Sequence, residues 1–223
     1  MPLGKATLGT FIFLLGLFYM NKSIAFDKTN VDTVFECLNN GKIALYDKAL
    51  DRAEDQLSCA LVNAREELSK FDLFRNVKPE TLIEILHYYG LAKANLCKWS
   101  EAEAAFTEAL SESKKNNPKN PAANVPLLIQ LAQFYFERGS YEKSLPYYEE
   151  TFVSGETIFL KRDPISYALL LEDYSVALEN SGKPEAAATA KAKALALRDK
   201  YPQGKALTVK NYDSYVPFPK ECK

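Results

Sequence analysis

The chain has 223 residues, 47% hydrophobic and 26% charged, an ordinary globular balance that can bury a sizeable core. Its formal net charge is −1, which weighs against nucleic acid or an anionic membrane surface as the main partner. The nearest basic cluster, Lys114-Lys115 with Lys119, sits among Asn and Pro and reads as a solvated loop.

The first element is N-terminal. "MPLGKATLGTFIFLLGLFYMNKSIAF" carries Lys5, then no charge until Lys22, and reaches Ser23-Ile24-Ala25. A basic start, a short apolar stretch and a small-x-small ending describe a secretory signal peptide over residues 1–25. The uncharged window is 16 residues long, short of the ~20 that a spanning helix needs, so an uncleaved membrane anchor is the alternative. No cysteine follows directly, which argues against a lipoprotein signal. Export to a bacterial periplasm or secretion is the expected localisation. Cys37, Cys59, Cys97 and Cys222 show no zinc-ligand spacing, and in an oxidising compartment four cysteines allow three disulfide connectivities.

Four segments then share one register. Small residues stand at Gly41, Ala53, Ala60; at Gly90, Ala102, Ala109; at Ala132, Ser144, Thr151; and at Ser175, Ala187, Ala194. The internal offsets are 12 and 7 in every segment, and the segments are 49, 42 and 43 residues apart. Each unit reads as two amphipathic helices and a turn, for example Pro126 to Arg138, Gly139-Ser140, then Tyr141 to about Thr157. Gly139 and Gly182 stand where the first helix must stop, while the first unit has no glycine near Lys48. Small residues let helices cross closely, and Trp99, Phe106, Tyr135, Tyr141 and Tyr148 fill the space around the crossings. Phe136 projects from the same helix in another direction, and Phe134 and Tyr147 have no assigned role. Polar breaks, "KFDLFRNVKPE" and "SESKKNNPKNPAANVP", separate the first three units. After Tyr201 the periodicity ends. The tail, 201–223, reads as extended, with Tyr215, Phe218 and its prolines available to fold back over an exposed end or to stay unstructured.

"LAQFYFERGSYEKSLPYYEETF", Leu131 to Phe152, carries Leu-Ala, Tyr, Gly-x-Tyr and Ser-x-Pro-x-Tyr at spacings that resemble the tetratricopeptide repeat. The spacing between units is similar to the longer repeat, roughly 42 residues, of kinesin light chains. The resemblance implies an all-α, right-handed α-solenoid of about four antiparallel helix pairs spanning 26–200, with repeats near 34–67, 83–116, 125–158 and 168–200. It also implies that the first helix of each pair lines a concave groove through Leu38, Lys42, Leu45, His87, Leu91, Ile129, Gln133, Phe136, Glu172 and Val176. Such a lining suits an extended or helical protein segment docking apolar side chains. Cys37 lies early in one helix and Cys59 late in its antiparallel partner, so a Cys37–Cys59 bridge is geometrically available.

Residues that would carry chemistry are scarce. The sequence has no G-x-S-x-G, phosphate loop or H-E-x-x-H, and the lone His87 excludes a multi-His metal site. Glu149-Glu150 are adjacent on a helix and point apart. The expectation is a non-enzymatic scaffold or assembly factor without cofactor, metal or small-molecule substrate, whose partner is a protein or peptide. The alternative is a permanent structural subunit of an envelope or secretory complex.

Overall fold

In the computed structural model the described residues are 30–70, 76–204 and 218–219. The expected signal peptide and most of the tail lie outside them. The described residues form eight α-helices in sequence and no strand: α1 (30–46), α2 (Leu50–Ser69), α3 (Pro79–Asn95), α4 (Trp99–Asn116), α5 (Val125–Glu137), α6 (Tyr141–Arg162), α7 (Pro164–Asn180) and α8 (Pro184–Lys200). They pack as four antiparallel pairs, each stacked on the next, in an α-solenoid. A short 3₁₀ turn, Pro121–Asn124, leads into α5.

Local chemistry places the helix ends. Proline stands in the first turn of α3, α5, α7 and α8, where its missing N–H costs nothing and its fixed φ already suits a helix. Asp163 caps α7 by accepting the Ser166 N–H at 3.1 Å.

The turn inside each pair is the same in all four. Lys48 (φ 59°), Cys97 (φ 61°), Gly139 (φ 67°) and Gly182 (φ 74°) take the left-handed conformation. In each case the next N–H reaches back five residues: Ala49 to Ala44 (2.8 Å), Lys98 to Lys93 (2.8 Å), Ser140 to Tyr135 (2.9 Å) and Lys183 to Leu178 (2.9 Å). That is the helix-ending Schellman pattern, which satisfies carbonyls the helix leaves open. The first unit therefore makes its turn without the glycine that marks the third and fourth.

All twelve small residues are buried. At Gly90 a Cβ would stand 2.5 Å from Cε1 of Phe106, and at Gly41 it would stand 2.6 Å from Cγ of Leu57. The partner helix thus lays a large side chain directly on the glycine, which is why the position must be small.

Two boundaries differ from expectation. α5 ends at Glu137, and α6 continues past Thr157 to Arg162, leaving Asp163 alone to connect α6 with α7. The added turns bury Phe159, which stacks on Tyr167 with ring centroids 5.7 Å apart. Gly155 leaves room for the Phe159 ring.

α5 is buried on nearly every side from Leu127 to Tyr135, so it serves two cores. Leu128, Leu131 and Phe134 join the cluster of the first two pairs, whereas Ile129 and Ala132 join that of the last two.

Candidate functional site

The structure places the ten groove residues unequally. Leu38, Leu45, Leu91, Ile129 and Gln133 are buried and line no open surface, which corrects the expectation for them. The physical reason is that each first helix packs against its own partner and against the second helix of the preceding pair, so apolar side chains on those sides enter the core. Phe136 is half-buried, edge-on to Tyr141 (5.5 Å) and Tyr148 (6.4 Å). Val176 is the most open, 40% exposed.

Of the other polar positions, Lys42 and Glu172 are tied between helices, and His87 is packed among rings. Lys42 donates to Glu84 of α3 at 2.7 Å and lies 4.9 Å from the Tyr88 ring. Glu172 accepts from Arg198 of α8 at 2.7 Å. His87 packs edge-on to Tyr88 (5.2 Å) and near Phe106 (6.3 Å), and burial lowers its pKa to about 4 despite the nearby Glu84 carboxylate. Its Nδ1 is buried without a hydrogen-bond partner. The imidazole is therefore uncharged near neutral pH and packs among rings.

Similar ties run across the stack. Arg65 pairs with Glu108 (2.7 Å), Lys114 with Glu150 (2.7 Å) and Lys193 with Glu156 (2.5 Å), linking the second helices of successive pairs. Lys93, nearly buried, bonds Glu54 of α2 and Glu101 of α4, and Lys98 bonds Glu54 as well. Lys93 loses solvation there, yet the bonds to Glu101 and Glu54 outweigh this and raise its pKa. Cys37 and Cys59 are joined in a disulfide, their Cα atoms 6.0 Å apart, which ties α1 to α2. Among the described residues no group of three or more His, Cys, Asp or Glu is placed to hold a metal ion, and no helix is long and apolar enough to cross a membrane.

The feature that sequence reasoning did not locate is an aromatic seat at the junction of the second and third pairs. Phe134, fully buried, meets Phe106 at 5.5 Å, Trp99 at 6.1 Å and Tyr135 at 5.4 Å, and the Arg138 guanidinium lies 5.2 Å from its ring. Phe218, from the tail, completes the group. It is 4% exposed, edge-on to Phe134 at 5.7 Å and tilted on Phe106 at 6.4 Å, and its N–H donates to Glu137 at 3.3 Å. Of the tail, Phe218 thus lies on the middle of the stack and not over its end. The nearest sequence signal was the Pro-Phe-Pro triplet at 217–219, which marks an extended segment with a single large side chain.

A second aromatic series, Phe136, Tyr141, Tyr148, Phe152, Tyr174 and Tyr167, connects α5, α6 and α7. Tyr135 and Tyr148 are buried, as core positions should be, and Tyr147 stacks on Tyr135 at 5.5 Å.

No family model matches the chain, and no curated protein matches it. Among solved structures, one described as the crystal structure of MamA protein is similar at 14% identity with a TM-score of 0.35, covering 77% of this chain and 95% of that one.

Proposed function

We propose that this chain is a non-enzymatic helical-repeat protein that holds a segment of a partner protein against its stacked helices, acting as a scaffold or assembly factor in an oxidising compartment outside the cytoplasm. The observation that carries the reading is Phe218. The solenoid holds Phe218 through its buried aromatic side chain and one backbone hydrogen bond, the combination of side-chain pocket and main-chain bond by which extended peptides are recognised. The Cys37–Cys59 disulfide supports the compartment, since such bonds persist where thiols are not kept reduced. Lys42 and Glu172 are committed to interhelix ties and His87 is packed among rings, which leaves these groove positions poorly suited to catalysis.

The test is capture of partners from an extract of the source cells on the immobilised chain. Val176→Glu alters an open position in the register of Lys42, Leu91 and Gln133, and Val153→Glu alters one that is 88% exposed on α6. A partner held in the groove is lost with Val176→Glu and kept with Val153→Glu. Equal retention by both variants would count against the reading.

One observation favours a permanent subunit instead. Phe35, Ile43 and Tyr46 are 42%, 58% and 74% exposed, and at helical spacing they share one face of α1, at the end of the stack. A subunit docked there co-purifies in fixed proportion and leaves the chain insoluble when removed.

A further inference from the structure

Two facts about the end of the chain meet at the aromatic seat. Cys97 is disulfide-bonded, while Cys37 and Cys59 are bonded to each other. The chain has four cysteines, so Cys222 is the remaining intrachain partner for Cys97. Phe218, four residues before Cys222, is buried against Phe134, and Phe134 also packs on Trp99, two residues after Cys97. Phe218 and Trp99 therefore share Phe134 as a neighbour, and the four residues from Phe218 to Cys222 can reach about 14 Å when extended.

We propose that the junction of the second and third helix pairs is a receptor site for an aromatic side chain on an extended, proline-flanked segment, and that the chain's own tail is its resident occupant, held there by a Cys97–Cys222 disulfide.

The seat has the chemistry for such a ligand. Phe106 and Phe134 offer faces to an incoming ring, which meets Phe134 at an interplanar angle of 89°, the edge-to-face geometry that aromatic quadrupoles favour. Pro217 and Pro219 have no N–H, so Phe218 brings the one backbone donor of the triplet, and the Glu137 carboxylate accepts it. A proline-flanked residue is already extended, which lowers the ordering cost of docking. The seat also lies where the stack is least continuous: the two core clusters divide at α5, and α4 meets α5 over a shorter stretch than α6 meets α7. Phe218 packs on both sides of this junction, on α4 through Phe106 and on α5 through Phe134.

The bond forms when the Cys97 and Cys222 thiols give up two protons and two electrons to a protein disulfide of the thiol-oxidase class, which becomes a dithiol while the two Sγ atoms join. The latch stands independently of the partner-binding reading. The trans ligand rests on that reading and shares the tail's chemistry.

Peptide mapping of the intact, non-reduced chain tests the latch. Trypsin is expected to release Ala94–Lys98 joined to Glu221–Lys223, and recovery of Cys222 as a free thiol would overturn it. The receptor is tested with a labelled peptide of residues 212–223 carrying Cys222→Ser, titrated into the full-length oxidised chain and into full-length Phe218→Ala/Cys222→Ser. Far-UV circular dichroism confirms that the variant is folded. The expected result is binding to the variant at least tenfold tighter than to the wild-type chain, and loss of that binding when Phe218 of the peptide is replaced by Ala. Equal affinity for both chains, or for both peptides, overturns the receptor. A variant that binds the peptide while the groove substitutions leave partner capture unchanged would remove the proposed function and leave this site standing.

Discussion

Two titratable side chains in this molecule work against each other. Burial lowers His87 from 6.5 to about 4, so between those values the unfolded chain takes up a proton that the fold does not accept. Stability that is intact above pH 6.5 is therefore lost as pH falls toward 4. Asp173 has the opposite sign. Burial, with Glu172 beside it, raises its pKa from 3.8 to about 6, so the fold keeps a proton that the unfolded chain has released. Its contribution is present below 3.8 and is lost as pH rises through about 6, which leaves a buried carboxylate to be tolerated at neutral pH. Asp173→Asn removes that burden. It is expected to stabilise the chain by roughly 1–2 kcal/mol at neutral pH and to lose the gain near pH 4. His87→Gln is expected to flatten the acid side of the profile. Urea midpoints across this range are the measurement, and an Asp173→Asn gain that is the same at every pH would show that its carboxyl titrates normally.

At the scale of the element, the repeat lives in its turns as much as in its small residues. Lys48 and Cys97 adopt the φ of Gly139 and Gly182, though an L side chain pays about 1–2 kcal/mol to sit in the left-handed region. Lys48→Gly is therefore expected to stabilise the first pair by about 0.5–1 kcal/mol, the strain relieved being partly offset by greater freedom in the unfolded chain. Gly139→Ala is expected to cost a similar amount, with no steric clash to blame, since nothing lies within 4 Å of an added Cβ. Thermal unfolding of both variants decides it; a destabilising Lys48→Gly would mean that the lysine side chain contributes more than its backbone costs.

The same elements show what could be read from the sequence and what could not. The twelve-residue register was legible because close helix crossings admit only small side chains, a constraint written at each position separately. The turn at Lys48 was less so, because its conformation is imposed by the Ala49 to Ala44 hydrogen bond and not by residue type. The groove was legible only as a register. Whether Leu38 or Ile129 is exposed depends on what the next helix lays over it, and whether Phe134 is core or cage depends on a phenylalanine 84 residues away. Those are tertiary facts, and no local pattern carries them.

As a whole, the molecule is a one-dimensional stack whose units depend on their neighbours, so protection should grade along it. α5 is buried on almost all sides and touches both cores, while α8 closes the far end with only Ala187, Ala190, Ala194 and Leu197 buried. The other end is pinned by the Cys37–Cys59 bond, which across a loop of this size is expected to contribute about 3 kcal/mol by restricting the unfolded chain. α2 is also held through Glu54 by Lys93 and Lys98, whereas α8 depends on exposed pairs such as Lys193–Glu156, each worth about 0–1 kcal/mol. Hydrogen exchange is therefore expected to be slowest in α3 to α5 and fastest, among the helices, in α8, with α7 between. Reduction and alkylation of the disulfides should speed exchange in α1 and α2 and leave α8 nearly unchanged. Equal protection along the stack would mean that the two clusters meeting at α5 open as one cooperative unit.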